Sequence, residues 1–132
     1  MKILVVEDES ICRELLRDVM AGYGSTDEAE DGVAALEKFQ DALLRQEPYD
    51  LICLDIMMPE LDGQETLMRI REIEMSAGVS VAEQVKIVMI TALADSQNII
   101  EAYGKGACVA YLTKPVTTRV LRGQLRDLGL FE

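Results

Sequence analysis

Short apolar runs alternate with longer amphipathic stretches along most of the chain. Four of these runs are rich in β-branched residues and predict strands at residues 3–6, 51–54, 87–90 and 108–112. Their apolar character is continuous, which is typical of strands that are covered on both faces. A fifth run, residues 25–29, is polar and predicts a strand at the edge of the sheet, where one side faces water.

Between these runs the apolar residues recur at helical spacing. The five stripes are Ile11, Leu15, Val19 and Tyr23; Ala35, Leu36, Phe39 and Leu43; Leu67, Ile70 and Ile73; Ile99, Ile100 and Tyr103; and Val120, Leu121, Leu125 and Leu128. Ser10 is predicted to cap the first helix, and Gly104 and Gly106 to end the fourth. Residues 75–84 are predicted to form an exposed loop. Strand followed by helix, five times over, predicts an α/β fold with a parallel sheet, right-handed crossovers and helices on both faces.

Composition narrows the class of protein. The chain has 132 residues, 49% of them hydrophobic, so we expect one domain over residues 1–132. Thirteen basic against 24 acidic residues give a formal charge of −11, which disfavours nucleic acids and anionic membranes as partners. The first apolar run meets Glu7 too soon to be a signal peptide or a membrane span. We therefore expect a cytoplasmic protein.

Cysteine usage argues against a metal or disulfide framework. The chain has three cysteines, Cys12, Cys53 and Cys108, no CxxC spacing and no histidine. A zinc site needs ligands that this pattern does not offer, and an odd number of distant cysteines does not suit a secreted disulfide scaffold. Cys53 lies in an apolar run and is interpreted as a core residue.

Each apolar strand ends in polar residues. The first is followed by Glu7 and Asp8, the second by Asp55, the third ends at Thr91, and the fourth leads into Lys114. In an open parallel sheet the carboxyl ends of the strands share one edge, where ligands bind, so we expect these residues to converge. Taken singly, each would be an ordinary loop, turn or cap residue. Polar residues of this kind at four strand ends together favour a functional site.

This residue set has a definite chemistry. Three neighbouring carboxylates repel one another and need a cation or a raised pKa. Oxygen ligands without histidine or cysteine suit Mg²⁺ before any softer ion. A carboxylate nucleophile, Mg²⁺, the Lys114 ammonium and the Thr91 hydroxyl are together the groups needed to accept a phosphoryl group.

Five motifs carry a family resemblance: ILVVEDE, EAEDGVAAL, DLICLDIMMPELDG, IVMITA and AYLTKP. With them the whole chain resembles the response regulator receiver domains of two-component signal transduction, in particular the single-domain regulators of chemotaxis type. The resemblance implies a flavodoxin-like, doubly wound sheet of five parallel strands in the order 2-1-3-4-5.

The resemblance also assigns roles at the acidic cluster. It implies that Asp55 is the phosphoacceptor and forms an aspartyl phosphate. Asp8 and Asp55 would bind Mg²⁺ directly, Glu7 through water, and Met57 through its backbone carbonyl. Lys114 would pair with the phosphoryl oxygens.

The remaining implied roles concern switching and hydrolysis. Thr91 would move toward the phosphoryl group, Tyr111 would move from exposed to buried, and the bond preceding Pro115 would be cis. Positions 57 and 93 modulate hydrolysis in this family. Because Met57 and Leu93 are bulky and apolar, they should hinder an attacking water, and we expect a long-lived phosphoryl state.

Partners follow from the same resemblance. The donor would be a sensor histidine kinase or a histidine phosphotransfer protein. The surface formed by the helix of residues 96–105, the strand that begins at Cys108 and the last helix would then bind a downstream target protein. The receiver itself would not be an enzyme, and would catalyse only its own phosphorylation and dephosphorylation. One predicted helix and a short tail follow Pro115, so we expect a stand-alone receiver, the alternative being a domain of a longer regulator.

The last helix also carries an arginine stripe, formed by Arg119, Arg122 and Arg126. Its ordinary interpretation is solvation and compensation of the helix dipole, and the alternative is a docking patch for an acidic partner.

Three rival functions fit less well. A phosphatase of the haloacid-dehalogenase type would have a second aspartate where Met57 stands. A flavin carrier would need a hydroxyl-rich phosphate loop where Glu7, Asp8 and Glu9 stand. A scaffold that is never phosphorylated would not need the full set of acidic residues, threonine and lysine.

Overall fold

The computed structural model describes residues 1–93, 95–104 and 107–129 of the chain. Strands and helices alternate in chain order, with a short 3₁₀ turn at Val81–Glu83 before the fourth strand. The strands are β1 (Lys2–Val6), β2 (Ser25–Ala29), β3 (Leu51–Leu54), β4 (Lys86–Thr91) and β5 (Ala110–Thr113). The helices are α1 (Ser10–Met20), α2 (Gly32–Leu44), α3 (Gly63–Ser76), α4 (Ser96–Tyr103) and α5 (Thr118–Asp127).

The five strands form one parallel sheet in the order β2-β1-β3-β4-β5, which confirms the expected fold. The polar strand β2 pairs with β1 and lies at the edge, as its composition predicted. Val6 on β1 lies opposite Leu54 on β3, so both strands reach the same edge of the sheet before their chains turn away.

Helices cover both faces of the sheet. Along β1, Leu4 and Val6 point into one apolar layer and Ile3 and Val5 into the other, because successive side chains of a strand alternate between faces. The first layer includes buried residues of α2, α3 and α4, and the second includes those of α1 and α5. The continuous apolar runs in the sequence are explained by this two-sided burial.

The apolar stripe predicted for α1 is wrong in its first half. Ile11 and Leu15 are 65% and 62% exposed, whereas Leu16, Val19 and Met20 pack into the core. A stripe of period four drifts around a helix of 3.6 residues per turn. Over the three turns of α1 its N-terminal members therefore rotate away from the sheet.

Several boundaries also differ from the prediction. The residue at the N-cap of α1 is Glu9, and Ser10 already lies in the helix. Helix α3 continues to Ser76, which shortens the loop predicted at residues 75–84. Strand β5 begins at Ala110 and not at Cys108.

Helix α4 ends at Tyr103 and is capped by Gly104, as predicted. Lys105 and Gly106, at the predicted end of that helix, lie outside the described residues. Ile100 and Val120, two members of the predicted apolar stripes, are 70% and 50% exposed. No helix in the described ranges has the length and apolar character needed to cross a membrane.

Candidate active site at the carboxyl edge of the sheet

The predicted site residues meet at the carboxyl edge of the sheet. Glu7 directly follows β1, Asp55 follows β3, Thr91 ends β4 and Lys114 follows β5. Glu7, Asp55 and Thr91 are almost completely buried, with exposed fractions of 1%, 5% and 0%. The structure thus brings together four side chains that are distant in sequence.

Lys114 lies between the two buried carboxyl groups. Its Nζ donates to Oε1 of Glu7 at 2.8 Å and to Oδ2 of Asp55 at 3.1 Å. The other oxygen of Asp55, Oδ1, accepts from the backbone N–H of Met57 at 3.2 Å. The ammonium group offsets part of the repulsion between the carboxylates, and the N–H orients Asp55.

The two carboxyl groups differ in proton affinity. Burial, followed by the adjacent Asp55 carboxyl, raises the pKa of Glu7 to about 7, although Lys114 acts to lower it. Burial also acts to raise the pKa of Asp55, but the contacts with Glu7, Lys114 and Thr91 outweigh it and leave this pKa below its usual value. Asp55 is therefore the ionised member of the pair, which is the form that a nucleophile needs.

A third carboxylate completes an acidic cluster. Asp8 is exposed, and one oxygen each from Glu7, Asp8 and Asp55 lies within 4.8 Å of the others. Oε2 of Glu7 is buried and finds no hydrogen-bond partner among the residues that the structure describes. A set of carboxylate oxygens with one buried oxygen unsatisfied fits a hard divalent cation with its bound water.

The loop after Asp55 folds back onto the site. The backbone N–H of Gly63 donates to the carbonyl oxygen of Ile56 at 2.9 Å, and Asp62 caps helix α3. A side chain at Gly63 would overlap the backbone of Asp55 and Ile56. Glycine at this position therefore lets α3 begin directly against Asp55. Met57, two residues after Asp55, is 55% exposed.

A chain of hydrogen bonds leads from Thr91 to Tyr111. The Thr91 hydroxyl accepts from the backbone N–H of Leu93 at 3.3 Å. The carbonyl oxygen of Leu93 in turn accepts from the hydroxyl of Tyr111 at 2.6 Å. Tyr111 is partly buried against the core layer of α2, α3 and α4. The end of β4 and the aromatic residue of β5 are thus joined.

Sequence reasoning missed Arg13 and the surroundings of Cys12. The Arg13 guanidinium donates to the carbonyl oxygen of Glu7 at 2.9 Å and pairs with Glu28 at 3.5 Å. Arg13 thereby fixes the turn that carries the acidic pair. Its position near the start of α1 was the only indication in the sequence, but nothing in the spacing distinguishes it from a solvated arginine.

The peptide bond between Lys114 and Pro115 is cis, as the family resemblance implied.

The sequence model of the family described as "Response regulator receiver domain" matches residues 3–126. The chain belongs to the response regulator receiver domain family. Receiver domains of this CheY type are the phosphoacceptor domains of two-component signalling. The receiver domain described here is 33% identical over 127 residues to chemotaxis protein CheY-3 of Vibrio cholerae, covering 95% of this chain and 88% of that protein. It is 31% identical over 116 residues to chemotaxis protein CheY of Bacillus subtilis, covering 86% and 85%.

A solved structure agrees with the fold of this receiver domain. The receiver domain of the histidine kinase CKI1 from Arabidopsis thaliana, complexed with Mg²⁺ and BeF₃⁻, is 26% identical. It superimposes with a TM-score of 0.79 and covers 95% of this chain and 89% of its own.

Proposed function

We propose that Asp55 accepts a phosphoryl group from a histidine kinase or a histidine phosphotransfer protein in a Mg²⁺-dependent reaction. The observation that carries the proposal is the buried Glu7–Lys114–Asp55 arrangement, in which one ammonium contacts both carboxyl groups. A low pKa at Asp55 keeps the nucleophile ionised at neutral pH. One oxygen of Asp55 forms a bond to phosphorus, while the bond from phosphorus to the donor nitrogen breaks with its electron pair.

The residues present fit the metal that this reaction uses. Asp8 and Asp55 would hold Mg²⁺, together with the backbone carbonyl of Met57, and Glu7 would hold one of its waters. When bound, Mg²⁺ neutralises charge on the phosphoryl oxygens and the carboxylates. The unsatisfied Oε2 of Glu7 supports this assignment, as does the Mg²⁺ complex of the CKI1 receiver domain.

Lys114 and Thr91 act on the transferred group. Lys114 already lies within hydrogen-bond distance of Asp55, so its ammonium can pass from the carboxylate to a phosphoryl oxygen with a small movement. The Thr91 hydroxyl lies next to Asp55 and lowers its pKa. It can donate to the phosphoryl group while it still accepts from the N–H of Leu93.

Phosphorylation then changes a protein-binding surface. The group added at Asp55 attracts Thr91, and the bonds from Thr91 through Leu93 to Tyr111 pass that movement to β5. The surface formed by α4, β5 and α5 would bind the downstream target. The arginine stripe on α5 is exposed and forms no ion pair within the described ranges, which supports an acidic partner face.

Labelling by a small-molecule phosphodonor tests the proposal. We expect a phosphate-affinity gel to show a shifted band that requires Mg²⁺ and disappears in Asp55→Asn. Asp62→Asn is the matched control, because Asp62 caps α3 in the same loop but lies outside the acidic cluster. Labelling that persists in Asp55→Asn would contradict the assignment of the acceptor.

A second measurement tests the switch. Beryllofluoride with Mg²⁺ should move the amide resonances of Thr91, Tyr111 and α5 together. Tyr111→Phe removes the hydroxyl that bonds to Leu93 and should uncouple β5 from the site while labelling at Asp55 continues. Equal shifts of β5 in the wild type and in Tyr111→Phe would argue against this route.

A further inference from the structure

A second group of metal-ligating side chains lies beside the acidic cluster, on the side of α1. One ligand atom each from Glu7, Glu9 and Cys12 lies within 4.8 Å of the others. Glu7 is buried, Cys12 is partly exposed and Glu9 is exposed. The sequence argued against zinc because it offers neither histidine nor CxxC, but the turn from β1 into α1 places a thiol against two carboxylates.

Two of these groups already contact each other, since Cys12 is hydrogen-bonded to Glu9, and a metal ion would replace that contact. Glu9 occupies the N-cap of α1, yet its side chain makes no capping hydrogen bond. Oε2 of Glu7 is buried and has no hydrogen-bond partner among the described residues. Cys12 is a free cysteine and the most accessible of the three, since Cys53 and Cys108 are buried.

The geometry points to a second metal site, formed by Glu7, Glu9 and Cys12, that takes a thiophilic divalent cation of the Zn²⁺ class. One sulfur and two carboxylate oxygens, with water as the fourth ligand, suit Zn²⁺, whereas Mg²⁺ does not favour sulfur. Zn²⁺ bonds of about 2.0–2.3 Å place tetrahedral ligand atoms roughly 3.5 Å apart. The ligand atoms lie within 4.8 Å of one another and would move inward to reach this spacing, a movement that the exposed Glu9 can make. The thiol proton leaves to solvent as the metal–sulfur bond forms.

Glu7 belongs to both sites, which makes them competitors. Glu7 is a member of both groups, so an ion held with Cys12 and Glu9 would compete for it with an ion held by Asp8 and Asp55. Zn²⁺ should therefore weaken Mg²⁺ binding and stop phosphoryl acceptance. This consequence rests on the proposed function, whereas the binding of the thiophilic ion does not.

Titration with Co²⁺, a spectroscopically visible stand-in for Zn²⁺, tests the site on the reduced protein. We expect one equivalent to produce a thiolate-to-cobalt charge-transfer band that Zn²⁺ abolishes. Cys12→Ser should lose the band, and its Zn²⁺ affinity should fall roughly tenfold or more, because a hydroxyl is a poor ligand for a soft ion. Cys108→Ala, which removes a buried thiol elsewhere, should keep the band.

Two further variants separate this site from the phosphoacceptor site. Glu9→Gln should weaken Co²⁺ binding several-fold, and Asp55→Asn should keep the charge-transfer band although it cannot be phosphorylated. Co²⁺ bound without a thiolate band, or a band that survives in Cys12→Ser, would overturn the proposal. A band in the wild type together with failed Asp55 labelling would support the metal site and count against the proposed function alone.

Discussion

At the scale of single residues, the opposite proton affinities of Glu7 and Asp55 are the central feature. Both carboxyl groups contact the same ammonium of Lys114, but Asp55 also accepts from a backbone N–H, while one oxygen of Glu7 is unsatisfied. Glu7 therefore holds a proton more readily than Asp55 does, and Asp55 remains the anion. This difference would keep Asp55, the proposed phosphoacceptor, ionised in the absence of metal.

The raised pKa of Glu7 predicts how the metal-free protein responds to pH. Folding raises this pKa from 4.5 to about 7, so the folded protein holds a proton that the unfolded chain loses. The associated stability is complete below the unfolded pKa and is lost as pH rises through the folded value.

Urea unfolding with a chelator present should therefore show a free energy of unfolding that falls between about pH 5 and about pH 8. Glu7→Gln should flatten this dependence, because its side chain does not titrate. A wild-type profile with the same slope as the Glu7→Gln profile would contradict the assigned pKa.

We expect two residues near Asp55 to set the lifetime of the proposed aspartyl phosphate. Met57 is 55% exposed beside Asp55, and Leu93 follows Thr91 with its side chain partly buried. Replacing them by polar residues gives an attacking water hydrogen-bond partners. Met57→Asn with Leu93→Glu should speed dephosphorylation about tenfold or more, measured as loss of phosphoprotein after donor removal. A double variant that loses its phosphoryl group at the wild-type rate or more slowly would contradict this role of Met57 and Leu93.

The sequence predicted which residues at the strand ends meet in the site, but not which residues of the neighbouring helix α1 lie beside them. Glu7, Asp55 and Lys114 follow buried strands, and the topology of a parallel sheet predicts that such residues meet. Arg13 and Cys12 lie on α1, where the side that faces the site depends on the rotation of the helix. A period-four stripe does not fix that rotation, as the exposed Ile11 shows.

At the scale of elements, the approach of α3 to β3 depends on Gly63. An alanine there would overlap the backbone of Asp55, whereas an alanine at Gly123 in α5 would meet nothing within 4 Å. Gly63→Ala should cost about 1–3 kcal/mol of stability and reduce labelling. Gly123→Ala should stabilise by about 0.5–1 kcal/mol and leave labelling intact. Thermal unfolding and labelling check both, and a neutral Gly63→Ala would contradict the close approach.

A buried ion pair joins α3 to the segments that precede β4 and β5, at the end of the sheet away from the acidic cluster. Arg71 donates to Glu74 at 2.7 Å and to the carbonyl oxygens of Val85 and Ala107 at 3.0 Å. Glu74 accepts in turn from the N–H of Val85 at 2.7 Å. Nothing in the sequence distinguished these two residues from the many solvated charges of the helices.

Removing one partner of this ion pair should destabilise the protein. Arg71→Met leaves Glu74 buried and uncompensated, and should reduce the free energy of unfolding by about 3–5 kcal/mol. Adding Glu74→Gln should recover part of the loss, because glutamine removes the charge and keeps an acceptor for Val85. Urea unfolding of the two variants checks this, and a double variant that is less stable than Arg71→Met would refute it.

At the scale of the whole molecule, the parallel sheet assembles the site and its net charge limits its partners. A parallel sheet with helices on both faces was predictable because the apolar runs and the intervening helical periods agree along the chain, whereas the strand order came from the family resemblance. The arginine stripe of α5 is exposed on a chain whose formal charge is −11. A partner that recognises this stripe should present carboxylates, and its binding should weaken as salt rises.

Chemical mapping of the phosphorylated residue distinguishes Asp55 from the other acidic residues of the site. Borohydride converts an aspartyl phosphate to homoserine, which peptide mass spectrometry locates in the sequence. We expect homoserine at position 55 only after incubation with phosphodonor and Mg²⁺, and none when Mg²⁺ is chelated. Homoserine at position 8 or 62, or modification at position 55 that does not depend on Mg²⁺, would contradict it.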